Sequence, residues 1–369
     1  MRVLHILAQL RASGAEQMLR VAAPHWQAAG LELDVLETST EPGHFREALE
    51  AVGYTVRRLP LGTRPSDVIA LRTLIREGAY DVVHVHPEGA DLIPVLAARL
   101  AGTPAIVRTV HHIYPYEGVL RRRKRLERRL SRALGTHHIC NSRSGSENEK
   151  STLRNPHRLV FNWYDEDHFR PPTGPQRARA REAFGLGDDE IALVSVGGCA
   201  EYKNHDLILR ALARTPNVLY LHAGPEPDDA ERRLAAELGV ADRARFLGVV
   251  PDVVEVFHAA DGYLMPSTIE GFGVAAAEAM GCGVPVILSD RPALWDLKEL
   301  TPGVWVPLEV EALAEAMREL AARPAEDRRA EGAEASEVVR ERFGSRTGAE
   351  GYETAYRDAL TMHPRVHAS

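Results

Sequence analysis

The 369-residue chain is long enough for two domains of ordinary size, each with its own core. Its 44% hydrophobic and 26% charged residues are those of a globular protein, and a net charge of −7 argues against nucleic acid as a partner. Three cysteines, Cys140, Cys199 and Cys282, are too few and too scattered for a disulfide framework or a Cys-rich zinc site, so a reduced, cytoplasmic setting is expected.

Val3 to Ala8 reads as a buried strand that meets Arg11 too soon to be a signal peptide, and no segment has the apolar length needed to cross a bilayer. A helix is expected from about Ala15 to Gly30. Ahead of it, Ser13-Gly14-Ala15-Glu16 puts small residues at a strand's carboxyl end, which suits a phosphate or a plain connection equally. Strands at Leu33 to Glu37, Thr55 to Leu59, Val82 to Val85 and Ile106 to Val110 then alternate with helices at Phe45 to Val52, Ser66 to Glu77 and Ala90 to Ala101. That pace is the pattern of a doubly wound parallel sheet. The last of these strands ends in His111-His112, where ligands bind in such sheets, although a structural histidine would sit there as well.

Between Gly118 and Leu134 the run RRRKRLERRLSR holds eight basic side chains, with Leu120, Leu126, Leu130 and Leu134 near helical spacing. Such a helix rests on anionic lipid, meets an acidic acceptor, or packs its leucine side on the fold with a solvated basic face. A strand at His137 to Asn141, a helix from Ser142 and a strand at Arg158 to Phe161 lead to Asn162-Trp163-Tyr164-Asp165. The triplet Asp165-Glu166-Asp167 has a metal-holding spacing, but it falls before Pro171-Pro172 and away from any nucleotide turn, so no metal is expected there. Gly174 to Asp189 is charged and linker-like.

Ala192 to Val196 opens the second domain. The turn Gly197-Gly198-Cys199-Ala200-Glu201-Tyr202-Lys203-Asn204 follows, in which backbone amides and a lysine suit a diphosphate. Strands at Leu219 to His222 and Arg245 to Leu247 end in Gly224 and in Gly248-Val249. After a short helix from Asp252, the strand Tyr263 to Met265 is broken by Pro266-Ser267-Thr268. Glu270, Gly271-Phe272-Gly273, a helix from Val274 to Met280 and a strand from Val284 follow: a crossover with its acidic, Gly-rich turn at the strand's carboxyl end. Glu270 and Glu278 would lie roughly 12 Å apart on a continuous helix, too far to share a proton. They suit two hydroxyl-bearing groups flanking a phosphate at the helix N-terminus; on spacing alone, two ordinary surface glutamates fit equally. Helices at Glu311 to Ala322, Ala330 to Phe343 and Arg346 to Thr361 complete the chain, and residues 362–369 read as a frayed tail.

The string EGFGVAAAEAMGCGVPVI resembles the E-x(7)-E signature of retaining glycosyltransferases of the GT-B fold, glycosyltransferase family four. VRTVHH is similar to that family's V-x-T-x-H. SGAE resembles its GGAE with Ser13 for the first glycine, NWYD its N-G-x-D with Trp163 for the glycine, and GGCAEYK its G-R-x-x-x-x-K with Gly198 in the arginine's place. The resemblance implies an α/β protein of the GT-B class, with two facing Rossmann-like domains and parallel sheets. Residues 1–165 would form the acceptor side, joined by a returning helix at 346–361, and residues 173–345 the nucleotide-sugar side.

It further implies that His111, with His112 as a secondary candidate, and Glu270 border the donor sugar, that Lys203 clamps the diphosphate and that Glu278 binds the ribose. Gly14, Gly198, Gly224, Gly248, Val249, Phe272, Gly273 and Val274 would line the donor. The implied reaction is retaining transfer of a hexose from a nucleoside-diphosphate sugar, UDP favoured, to a hydroxyl of a glycan, a lipid-linked or a small-molecule acceptor. Neither cofactor nor metal is expected, and the departing phosphate would take the acceptor's proton. Two other readings stay open: a nucleotide-sugar 2-epimerase with the same architecture, and a catalytically silent binding protein, for which Gly198 is the motivating oddity.

Overall fold

A computed structural model describes residues 1–11, 14–62, 64–87, 92–111, 116–226 and 229–362. Ser13, His112, the start of the helix expected at Ala90 and the tail after Met362 lie outside the described residues. The chain forms two compact units, Met1–Trp163 with Ser345–Ser369, and Tyr164–Gly344. The boundaries between these units fall at 163/164 and 344/345.

Among the described residues the first unit holds β1 (Arg2–Leu7), β2 (Glu32–Glu37), β3 (Thr55–Arg58), β4 (Val82–Val85), β5 (Ala105–Val110), β6 (Thr136–Cys140) and β7 (Arg158–Leu159), ordered β3-β2-β1-β4-β5-β6-β7 and parallel throughout. β4 and β5 are buried along their whole length, as strands covered by helices on both faces must be. The helix Ser345–Met362 returns to this unit and buries Tyr352 and Tyr356, whose hydroxyls reach Thr109 Oγ1 at 2.9 Å and His84 Nδ1 at 2.7 Å. Trp163, at the position where the family pattern has glycine, is fully buried and donates from Nε1 to the Met18 carbonyl at 2.9 Å. The room it needs comes from Gly348, where a Cβ would lie 2.0 Å from the indole.

The second unit holds β8 (Ile191–Val196), β9 (Val218–Ala223), β10 (Ala244–Gly248), β11 (Gly262–Met265), β12 (Val286–Ser289) and β13 (Val304–Val306), in the order β10-β9-β8-β11-β12-β13, again parallel. β13 and the helix Ala230–Glu237 were not legible in the sequence.

Two expectations are corrected. The charged stretch after Gly174 is no linker but the helix Gly174–Ala183, started by a Thr173/Gln176 capping box. Its buried side is held by arginine, with Arg177 Nη2 and Arg181 Nη1 reaching Asp261 at 2.7 and 3.1 Å. The basic helix Gly118–Ala133 is built inside out relative to the leucine-side packing. Lys124, Arg128 and Ser131 are its buried residues, and Arg128 is ion-paired to buried Glu149 at 3.1 Å. Leu120, Leu126 and Leu130 are 45–56% exposed, and only Leu134, just past the helix end, packs against the core as expected. Burying a guanidinium is tolerable only with its carboxylate, and Glu149 decides which face turns inward.

Candidate functional site

In the second unit the strand order reverses between β8 and β11, and chains leaving these neighbours diverge, opening a crevice at their carboxyl ends. The turn after β8 is stacked on those after β9 and β10. Gly197 N donates to Ala223 O at 2.9 Å, Cys199 N to Pro225 O at 3.1 Å and Gly224 N to Gly248 O at 2.8 Å. At Gly224, with φ of +154°, a Cβ would lie 1.9 Å from the Gly197 carbonyl oxygen, so any side chain there would force the turns apart. Gly248 shares this layer, and Val249 projects from it, 78% exposed.

The turn of β8 is tied to the loop of β11 by Thr268 N donating to Tyr202 O at 2.8 Å and by Asn204 Nδ2 donating to Pro266 O at 3.2 Å. Asn204 adopts a left-handed conformation, φ 62°, that suits asparagine, and so aims Lys203 toward the β11 loop. There Lys203 Nζ meets Glu270 Oε1 at 2.6 Å, with the Tyr202 ring 5.7 Å from the ammonium. The lysine and the glutamate singled out in the sequence are thus direct partners across the reversal point.

Gly273 caps the helix Val274–Gly281 at φ +88°, and a Cβ on it would strike Leu294 Cδ2 at 2.6 Å. The first amides of that helix have no carbonyl behind them and present donors with positive partial charge. The Phe272 side chain is buried against Phe343, ring centroids 5.0 Å apart, so what it offers a ligand is backbone. One turn into the helix, Glu278 is half-buried, and burial, with the charge of Asp165 adding, pushes its carboxyl up to about 8. Buried Tyr263 feels both glutamates, since its hydroxyl is pushed up first by burial and then by Glu270 and Glu278. Gly198 has no left-handed φ, and a Cβ there would touch Pro225 only at an ordinary 3.5 Å. The backbone at this position therefore accepts a side chain where the family pattern has arginine.

Gly14 and His111 belong to the first unit. Gly14 opens the helix Gly14–Ala28 after β1, and His111 follows β5. His111 Nε2 lies 3.0 Å from His86 Nδ1, whose Nε2 lies 3.1 Å from His5 Nδ1, and Asn141 Nδ2 donates to the His111 carbonyl at 3.1 Å. Burial lowers His86 and His5 well below the ordinary imidazole value, so both are neutral and the tautomer of each ring is coupled to that of its neighbour. The Asp165-Glu166-Asp167 triplet is used locally: Asp165 Oδ1 accepts from His168 N at 3.1 Å, and Asp167 pairs with Arg170.

Tyr202, Asn204, Thr268 and Tyr263 were not singled out in the sequence. Only Asn204, at the junction of a Gly-rich turn and a helix, carried a local signal, its tolerance of left-handed backbone.

Two family models match, "Glycosyl transferases group 1" over residues 176–337 and "Glycosyltransferase Family 4" over residues 12–186. Among curated relatives, the D-inositol 3-phosphate glycosyltransferase of Mycobacterium marinum is 27% identical over 310 residues, 75% of this chain and 66% of that protein. Its namesake in Mycolicibacterium smegmatis is 32% identical over 230 residues, 57% of this chain and 52% of that one. The chain spans about two thirds or less of these relatives' length. HepE of Anabaena, solved with UDP and glucose, superposes with a TM-score of 0.83 at 19% identity, over 97% of this chain and 100% of that one, a likeness of fold.

Proposed function

Because the chain belongs to glycosyltransferase family four, with the two parallel-sheet units of the GT-B class, we propose that it moves a sugar from a UDP-sugar to an acceptor hydroxyl with retention of configuration. The observation that carries this reading is the Lys203–Glu270 pair at the reversal point, beside the open N-terminus of the helix Val274–Gly281. Without donor, each charge satisfies the other. A bound diphosphate takes over Lys203 and the helix amides, and Glu270 is released to the sugar hydroxyls. Growing charge on the leaving phosphate is then stabilised by a preorganised cation and dipole, which raises the rate without a protein nucleophile. The departing phosphate accepts the acceptor's proton. Support for UDP comes from HepE, solved with UDP and glucose.

The test is a thermal-shift series with nucleoside diphosphates, followed by product analysis with and without acceptor. UDP is expected to raise the melting temperature, since a ligand of the folded state alone stabilises it. No response to any nucleoside diphosphate defeats the reading. A changed sugar configuration without acceptor would instead establish the epimerase.

Glu278 gives this series a pH signature. Its folded carboxyl titrates near 8 against an ordinary 4.5, so the fold favours the protonated form. That stabilisation is complete below the ordinary value and is lost as pH rises through about 8. Ribose hydroxyls donating to the ionised carboxylate act in the opposite direction. UDP affinity is therefore expected to rise with pH between about 6 and 9. Glu278→Gln, read by the same thermal shifts, is expected to flatten both trends; an unchanged profile removes Glu278 from the ribose.

We also propose that the helix Gly118–Ala133 rests on an anionic lipid surface, its outward leucines entering the interface among basic side chains. No helix among the described residues is long and apolar enough to cross a membrane. Co-sedimentation with phosphatidylglycerol vesicles, absent with phosphatidylcholine and lost in Leu126→Ser/Leu130→Ser, is the expected result. Equal pelleting with both lipids counts against it.

A further inference from the structure

Three side chains that take no part in the proposed reaction converge behind the diphosphate turn: Cys199 on the turn, His205 at the start of the helix His205–Leu212, and His222 near the end of β9. One ligand atom from each lies within 4.8 Å of the others. All three are buried, at 8%, 5% and 0% exposure. Cys199 Sγ is 3.3 Å from His222 Nε2. The Nδ1 atoms are held from behind by one hydroxyl pair. His222 Nδ1 lies 2.9 Å from Ser195 Oγ, His205 Nδ1 lies 3.0 Å from the Tyr220 hydroxyl, and those two oxygens are 2.6 Å apart. His205 Nε2 is buried, and the Gly198 backbone is the ring's other polar neighbour.

The hydroxyl behind each Nδ1 fixes the plane of its ring and leaves Nε2 as the metal-facing nitrogen, so this arrangement orients both rings as ligands once Nε2 is deprotonated. It is the oxygen-backed histidine that metal sites use. A second histidine cluster, His5, His84 and His86, offers no such set, because both nitrogens of His84 are engaged, by the Tyr356 hydroxyl at 2.7 Å and Thr109 Oγ1 at 2.8 Å.

We propose that Cys199, His205 and His222 bind a divalent cation of the zinc class, through the Cys199 thiolate and the two Nε2 atoms. One thiolate with two imidazoles selects such a borderline metal over magnesium or calcium, which require oxygen ligands. On binding, the thiol proton passes to solvent, the His205 ring proton resides on Nδ1 against the Tyr220 hydroxyl, and the metal replaces the sulfur–imidazole hydrogen bond. The fourth position falls to water or to the Gly198 carbonyl, which lies beside the His205 ring. An occupied site ties the turn that carries Lys203 to β9 and so stiffens the diphosphate cradle from behind. This role is separate from the transfer chemistry and needs no donor.

The test uses the full chain, stripped with a chelator and titrated with Co2+. One equivalent is expected to bind with a near-ultraviolet thiolate-to-cobalt charge-transfer band and the intense visible bands of a four-coordinate site, and Zn2+ should displace it. Cys199→Ser is expected to lose the ultraviolet band and at least about 100-fold in affinity, while Cys140→Ser keeps both. Should Cys199→Ser fail to fold, His222→Ala serves in its place, with the visible bands lost at an unchanged far-ultraviolet circular dichroism. A wild-type chain that shows no saturable thiolate band, or a band that survives in Cys199→Ser, overturns the site.

Discussion

Replacing Lys203 with alanine is expected to lower kcat/KM for sugar transfer by about 10²- to 10³-fold, with the circular dichroism spectrum unchanged. In the turn Gly197 to Asn204 Lys203 is the only cationic side chain, because Gly198 stands where the family pattern has arginine. One charge therefore does work that two would share. The loss should fall mainly on kcat, since charge on the leaving phosphate is greatest in the transition state. The room beside Gly198 supplies the complementary arm. A Cβ at 198 meets Pro225, its carbonyl oxygen included, only at ordinary contact distance and needs no left-handed φ, so Gly198→Arg in the alanine background is expected to restore about tenfold, the worth of one charge-assisted hydrogen bond. Glu270→Gln separates the partners: it frees Lys203, so UDP should bind at least as well while transfer of the sugar slows. Full activity in Lys203→Ala would remove the cation from the mechanism and leave the helix amides as the only stabilising dipole.

The strands and their crossovers were legible because a parallel sheet covered on both faces demands mostly apolar runs, and Val82–Val85, interrupted only by His84, and Gly262–Met265 are such runs between turn residues. The Lys203 turn and the Glu270 loop were legible for a related reason: glycine and proline punctuate the carboxyl ends of strands, where the backbone must turn sharply. What escaped were elements held by polar burial. Helix Gly174–Ala183 has no apolar stripe, and its inward face is arginine on a distant carboxylate. In Gly118–Ala133 the leucine spacing was correct, and of its readings the inward packing fails for Leu120, Leu126 and Leu130, since Glu149 draws Arg128 to the inner face. The Cys199, His205 and His222 cluster is assembled by the register that sets Ser195 opposite His222 across β8 and β9, a relation between residues 27 apart that no local pattern encodes.

Asp261→Ala is expected to destabilise the second unit by about 3–5 kcal/mol, the cost of stranding buried charge. Asp261 is 7% exposed and receives three guanidiniums: Arg177 at 2.7 Å, Arg181 at 3.1 Å and Arg328 at 3.4 Å. It also accepts from Ala192 N at 3.0 Å, which fixes the start of β8. The arginines continue outward to main-chain carbonyls, Arg177 to Ala260 at 2.7 Å and Arg181 to Glu190 at 2.7 Å, so one carboxylate joins two helices, a strand and the loop ahead of it. Burial already pushes the Arg177 guanidinium below its ordinary value, and Asp261 is the charge that opposes this. Without it, three cations face one another in a space with little water. Urea unfolding followed by tryptophan fluorescence should show the midpoint falling with the slope unchanged. Asp261→Asn, which keeps the acceptor for Ala192 and loses the charge, should fall between wild type and alanine. Arg357→Ala, which breaks a pair on an exposed helix surface of the first unit, should leave the midpoint where it is. If Asp261→Ala behaved like Arg357→Ala, the arginine helix would have to be held by its packing, and its lack of an apolar face leaves little packing to hold it.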